Sequence, residues 1–240
     1  MKLGVITDIH NNLTALKAVM ARFDELNCAQ IICCGDIIGI GPYPEQTVQY
    51  MMKIPNLIAV KGNHDKYIIE GMPTEFPNDE HMEQGEVEHH KWEHGLLSEE
   101  SVGFIKGLPY RVDLAVENRR ISVMHYCMDE NNRYVNYNLN LSEEQLSEMF
   151  ADVDSDIILF GHAHKRTICA GEKQYINVGS LGCPEIDKNI ARAGILTITQ
   201  DEVEISPIDV EYDVESVVAE IDRLNYPDAE NIKKFFYGIW

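Results

Sequence analysis

Five hydrophobic runs in this chain each end on side chains able to bind cations: VITDIH, ICCGD, AVKGNHD, ISVMH and IILFGHAH. They deliver Asp8, His10, Asp36, Asn63, His64, His125, His162 and His164, each just after a short stretch of mostly β-branched residues. Such stretches read as strands handing over to loops, and in open α/β sheets the C-terminal strand ends line the binding crevice. The pattern is that of a two-metal site. Two divalent cations about 3.5–4 Å apart need oxygen and nitrogen ligands, one of them able to bridge, and an open edge for water and substrate. Asp36 is the natural bridge, because a carboxylate offers two oxygens whereas a neutral imidazole offers one nitrogen and an Asn one carbonyl oxygen. A set of His, Asp and Asn suits Mn first, with Fe, Zn, Ni, Co or Mg as the other candidates.

The elements that must position these residues follow from periodicity. Leu3 to Thr7 reads as a buried strand, and Asn11 or Asn12 caps a helix with Leu13, Leu16, Val19, Met20, Phe23 and Leu26 on its apolar face. Ile31 to Cys34 is the next strand, Pro44 opens a helix through Met52, and Leu57 to Val60 is a third strand leading into Gly62-Asn63-His64-Asp65. This alternation predicts a mostly parallel, doubly wound arrangement. Residues 70–100 break it, being acidic and rich in Met, His and Pro, and turn helical near Glu86, with Ser98 capping the helix that follows. They read as a helical insert or lid that shapes substrate access. From Ile121 the strands resume at Ile157 to Phe160, Tyr175 to Val178, Ala193 to Thr199 and Val203 to Val210, which implies a second sheet. Tyr212 to Gly238 has helical spacing through Leu224.

Composition bounds the partners. A chain of 240 residues, 45% of them hydrophobic, fits one domain over 1–240 better than two small ones. Twenty basic against 40 acidic residues give a formal charge of −20, a field that repels long nucleic acids. No apolar run approaches the roughly 20 residues of a membrane span, so no membrane partner is expected. Six cysteines with no CxxC pair, and a Met1-Lys2 start leading directly into a strand, point to a reducing cytoplasmic compartment. Oligomeric state is left open.

The ordered blocks D-x-H, G-D, G-N-H-D, a lone His and G-H-x-H resemble those of the calcineurin-like metallophosphoesterases, here as Asp8-Ile9-His10, Gly35-Asp36, Gly62 to Asp65, His125 and Gly161 to His164. The likeness is greatest to small bacterial single-domain members, through GDIIGIGP, WEHGLLSEES and INVGS. Ile40 and Gly41 after GDIIG, and Lys61 before GNHD, depart from the protein Ser/Thr phosphatase branch. Tyr126 follows His125 where the family usually has Gly. The resemblance implies a four-layer αββα sandwich, two mixed β-sheets flanked by helices. It also implies Asp8, His10, Asp36 and His164 on one metal and Asp36, Asn63, His125 and His162 on the other. The activity it implies is hydrolysis of small phosphodiesters or phosphomonoesters by attack of a metal-bridging hydroxide, with His64 protonating the leaving group. The alternatives are a dinucleoside polyphosphate hydrolase, or a non-catalytic metal-binding scaffold or nucleotide sensor.

Other residues carry weaker signals. Asp65 either orients the His64 imidazole or caps the following helix. Arg133, beside Asn131 and Asn132, is a candidate for a phosphate oxygen, and Cys127 for substrate contact, although packing is the better account of the thiol. His81, His89, His90 and His94 crowd the insert, where they read as solvated or substrate-facing rather than as a third metal site.

Overall fold

Nearly every strand residue on the first three runs is apolar because each strand is covered on both faces. In the computed structural model, which describes all residues except 73, 75–83, 131, 132, 136, 137, 139, 185, 239 and 240, strands β1 (Lys2–Ile6), β2 (Gln30–Cys33) and β3 (Ile58–Ala59) pair in parallel. Helices α1 (Leu13–Glu25) and α2 (Pro44–Met51) make the crossovers. Leu3, Val5, Ile32 and Cys34 point one way, into a core shared with the second sheet, while Ile6, Ile31 and Cys33 point the other way, onto helices. This is the period-2 alternation of a strand with a different hydrophobic layer on each side.

After β3 come α3 (Asn63–Glu70), α4 (Gln84–His94) and α5 (Glu99–Gly107), then β4 (Arg111–Val116), β5 (Arg119–Met124), α6 (Glu143–Met149), β6 (Ile157–Leu159), β7 (Thr167–Ala170) and β8 (Gln174–Asn177). Long strands β9 (Ile190–Ile198) and β10 (Val203–Glu211) precede α7 (Val214–Arg223) and α8 (Ala229–Tyr237). The sheets run β10-β9-β1-β2-β3 and β4-β5-β6-β8-β7, both mixed. The architecture is the αββα sandwich: Ile121, Val123, Ile157, Leu159 and Ile176 meet the first sheet in the middle. Leu146 and Phe150 cover the outer face of the second sheet, and α1, α2, α5, α7 and α8 cover that of the first.

One expectation changes: the last two strands do not extend the second sheet; β9 pairs antiparallel with β1 within the first. The helical spacing through Leu224 is α7, which stops where Asn225 takes a left-handed φ of 48° and Pro227 cannot donate, before α8 begins. Of the two possible caps for α1, Asn12 is the one used: its carbonyl accepts from Ala15 N at 3.0 Å and its amide donates to Gly182 O at 3.0 Å. Ser98 caps α5, accepting from Ser101 N. Among the described residues, no helix is long and apolar enough to cross a membrane.

Candidate metal centre

The C-terminal ends of β1, β2, β3, β5 and β6 converge on one edge of the sandwich, and the five sequence blocks meet there. Asp8, His10 and His164 form one group of ligand atoms lying within 4.8 Å of one another, and Asp36, His125 and His162 form a second. Asp36 reaches both sides: its Oδ2 lies 3.2 Å from His125 Nε2 and 3.8 Å from His10 Nε2. Asn63 Oδ1 sits 3.1 Å from His125 Nε2 and 3.0 Å from His162 Nδ1. All seven sequence-assigned ligands are thus brought together.

Backbone carbonyls choose the tautomers. His10 Nδ1 lies 3.2 Å from Ile38 O and His125 Nδ1 lies 2.8 Å from Cys34 O, so in each neutral ring Nδ1 carries the proton and Nε2 offers a bare lone pair. Those Nε2 atoms face other potential ligand atoms. His10 Nε2 faces His164 Nε2 at 2.9 Å, and His125 Nε2 faces a carboxylate and an amide oxygen. Carboxylate, amide and imidazole ligand atoms brought this close could hold a divalent ion at each cluster.

The electrostatics show how strongly the clustered carboxylates favour positive charge beside them. Burial opposes charge on His125, yet the Asp36 carboxylate overrides it and raises the pKa to about 9. Burial likewise opposes the Asp36 anion, but His125 and His64 hold its pKa well below the usual carboxylate range. His10 and His162 are pushed down to about 3, by burial first and then by neighbouring imidazoles, so they stay neutral and able to ligate. Burial raises Asp8, whose Oδ2 accepts from the Thr7 hydroxyl at 2.7 Å and whose two oxygens accept from His162 N.

Strain concentrates at these positions. Asp8, His10, Asp36, His162 and His164 all have φ between 48° and 72°, a left-handed region costing non-glycine residues about 1 kcal/mol or more each. Glycines make room beside them: a side chain at Gly62 would run into the Asp36 carboxylate, and one at Gly161 into Thr7 and Asp8. The segment from Asn177 to Gly182 ties the loops down. Asn177 donates to Gly161 O, Ser180 Oγ to Asp8 O, and the amides of Ser180, Leu181 and Gly182 to His164, Thr7 and Asp8 carbonyls. This clamp is the structural content of INVGS, a motif that the sequence analysis used only for its family resemblance.

His64 opens α3 beside Asn63, its Nε2 4.0 Å from Asp36 Oδ2 and its side chain 13% exposed. Its Nδ1 is buried without a hydrogen-bond partner. Asp65 does not orient it: the Asp65 carboxylate accepts from the amides of Gly62, Ile37 and Ile38 at 2.9, 3.1 and 3.2 Å. Asp65 therefore caps α3 and fastens the Asp36 loop to the Asn63 loop, the second of its two sequence readings. Arg133 lies in an exposed turn where Asp129 holds its guanidinium at 3.1 Å. Cys127 donates its thiol to Met149 O at 3.2 Å and packs against the second sheet's outer core. Asn131, Asn132 and His81 lie outside the described residues. Of the insert histidines, read as solvated or substrate-facing, His89 and His90 are wholly buried, whereas His94 is partly exposed. Sequence reasoning also missed Glu93, buried beside them, and Tyr134, whose ring stacks on His162 and whose hydroxyl donates to Lys61 O.

A sandwich of two mixed sheets carrying such a cluster at one edge defines a metallophosphoesterase fold. The family model described as the calcineurin-like phosphoesterase superfamily domain matches residues 1–201, and the chain belongs to that superfamily. It is 24% identical over 242 residues to the uncharacterized protein MJ0912 of Methanocaldococcus jannaschii, spanning 94% of each chain. Among solved structures it superposes on a metallophosphoesterase from Sphaerobacter thermophilus with a TM-score of 0.75 and 22% identity, over 99% of this chain and 98% of the other. It superposes on the hypothetical protein PH1004 of Pyrococcus horikoshii OT3 with a TM-score of 0.83 and 18% identity, over 98% and 97%.

Proposed function

We propose that this protein is a binuclear-metal phosphoesterase acting on small phosphodiesters or phosphomonoesters, with Asp8, His10, Asp36 and His164 holding one ion and Asp36, Asn63, His125 and His162 the other. The observation that carries this reading is the convergence of ligand atoms in two adjoining clusters, with the Asp36 carboxylate reaching both. When bound, the two ions supply charge neutralisation at the phosphoryl oxygens and a lowered pKa for the attacking water. Mn is the first candidate metal. The half-buried members, Asn63, His64, His162 and His164, form the open side where an ester enters.

His64 faces that opening without being needed as a ligand, and its role is to protonate the departing oxygen through Nε2. The 40 acidic residues against 20 basic ones favour a small substrate over a polyanion. A single domain and a cytoplasmic setting complete the proposal, in keeping with six free thiols.

The test pairs wild type with His64→Ala on bis(p-nitrophenyl) phosphate and p-nitrophenyl phosphate, each protein loaded with Mn, Ni, Zn or Mg and its bound metal quantified. Expected are two ions per chain in both proteins and a kcat in His64→Ala lower by about 10²–10⁴-fold. Stoichiometric metal with no hydrolysis of either ester by wild type overturns the catalytic reading in favour of a scaffold or sensor.

A further inference from the structure

Helix α4 reaches the metal centre with two side chains, each gripping a different loop of it. Glu93, wholly buried, accepts from Asn11 Nδ2 at 2.6 Å through Oε2, while its Oε1 lies 2.8 Å from His90 Nδ1. His89, also buried, accepts from Ile40 N at 3.1 Å through Nε2. The rings of His89 and His90 stack at 4.4 Å with 25° between planes, so their in-plane lone pairs run side by side and do not meet on an ion. Glu93 and His89 instead share a hold on the loops that carry the ligands.

Both loops need holding. His10 and Asn11 are consecutive left-handed residues, with φ of 48° and 55°, and Ile40 takes a φ of 67°, where a β-branched side chain is an outlier. Such conformations persist only when their surroundings over-determine them. The backbone laces the two loops together: Asn11 N donates to Ile37 O and Gly41 N to His10 O, both at 3.0 Å. Ile38 O then lies 3.2 Å from His10 Nδ1 and sets the tautomer that leaves Nε2 for an ion. On the other side, Tyr226 donates its hydroxyl to Ile40 O at 2.6 Å and packs its ring on His89 and Trp92, which seats α4 against the same loop. A buried carboxylate without donors is strongly unfavourable, so Glu93 and Asn11 hold one another in place.

We infer that Glu93 is a positioning residue for the ion assigned to Asp8, His10, Asp36 and His164: it fixes Asn11, and through Asn11 the left-handed turn that aims the His10 imidazole. The inference rests on the two-ion reading proposed above. The other cluster draws its support elsewhere, since Cys34 O holds His125 Nδ1 at 2.8 Å and the Tyr134 ring stacks on His162. Loss of Glu93 therefore acts on one ion and spares the other. Helix α4, read from sequence as a lid, works as a brace on the first cluster.

Site-resolved metal binding tests this. Metal-free wild type, Glu93→Leu, Glu93→Gln and Asn11→Gly are titrated with Co²⁺, whose visible absorption reports each binding step, and His164→Ala and His162→Ala mark which step belongs to which cluster. In Glu93→Leu, affinity at the His10 cluster is expected to fall about 10–100-fold while the other cluster stays within about threefold of wild type. Glu93→Gln keeps an oxygen for the Asn11 amide and recovers most of that loss. Asn11→Gly suits the left-handed backbone but lacks the amide, so it reproduces the loss, and it decides the matter should Glu93→Leu fail to fold. Added to Asn11→Gly, Glu93→Leu has little further effect on Co²⁺ affinity. Wild-type affinity at both clusters, equal weakening of the two, or a loss in Glu93→Gln as large as in Glu93→Leu overturns the inference and leaves the two-ion reading intact. A wild type that takes up fewer than two ions overturns both.

Discussion

Two histidine-rich regions lie side by side in this molecule, and they solve opposite problems. At the strand ends, carbonyls of Ile38 and Cys34 take the Nδ1 protons of His10 and His125, so the bare Nε2 atoms converge on one another and on carboxylates. On α4, a carboxylate takes the Nδ1 proton of His90 while a backbone amide occupies His89 Nε2, and the rings stack. The first arrangement brings ligand atoms together from five separate loops and calls for a cation. The second spends one nitrogen of each ring on a partner within the fold and leaves His89 Nδ1 and His90 Nε2 buried without one. Residue type is shared, so what separates the two regions is the partner given to each ring nitrogen and whether the remaining ones converge.

The sharpest way to break the comparison is to alter the carboxylate between the clusters. Asp36→Asn removes the charge and one metal-binding oxygen while keeping the shape, and turnover is expected to fall more than about 10³-fold with at least one ion lost. Retention of both ions with activity within tenfold would show that the converging acceptors are satisfied some other way. Metal loading should also separate the regions in stability. At about 100 times the dissociation constant, a bound ion stabilises the fold by about 2.7 kcal/mol, read as a rise in Tm. That rise is expected in wild type and His89→Gln and reduced in Asp36→Asn. A rise abolished by His89→Gln would assign the ion to α4.

The strand-end region was legible in the sequence because strand ends carry their ligands within a residue or two of an apolar run, and the blocks keep their order. Its backbone was not. Nothing in the letters Asp8 or His164 announces a positive φ, since that strain is imposed by the neighbouring loops and by the Asn177 to Gly182 clamp, whose partners lie up to 172 residues away. The α4 region was misread for a related reason. EHHKWEH on a helix looks solvated by composition, and only its docking beneath Tyr226 and against the Asn11 loop buries it. The i,i+3 spacing of His90 and Glu93 was the available signal. Sheet membership of β9 and β10 was equally hidden, because periodicity assigns strands without naming their neighbours.

A smaller, pH-dependent effect follows from burying neutral imidazoles on α4. Burial first, then His90, lowers the pKa of His89 to about 3 from 6.5. Below pH 6.5 the unfolded chain takes a proton there and the folded chain does not, so His89 makes stability fall as pH falls, by about 1.4 kcal/mol per unit until its folded pKa is reached. Glu93, raised to about 7 by burial, works in the opposite sense, losing stability as pH rises toward 7; His90 and His94 are also lowered. These groups remain in His89→Gln, so comparing the two proteins isolates His89. Between pH 7 and pH 5 the stability of wild type relative to His89→Gln is expected to drop by about 2 kcal/mol, measured by denaturant unfolding at each pH. A constant difference across that range would mean that His89 titrates normally, in a site open to water.

The smallest expected effect concerns the one cation proposed for substrate. Arg133 is 60% exposed, and its guanidinium lies 3.1 Å from an Asp129 carboxylate on the same turn. An exposed pair of this kind is worth about 0–1 kcal/mol, because water screens it and two long side chains must be held still. The strand-end clusters, by contrast, hold their charges where water is largely excluded, so each charge removed there costs far more. Arg133→Ala is therefore expected to change KM less than about threefold and to leave kcat and metal content alone. A tenfold rise in KM with kcat unchanged would mean that Arg133 leaves Asp129 for a phosphoryl oxygen when substrate binds, and would extend the functional surface from the buried strand ends to the rim.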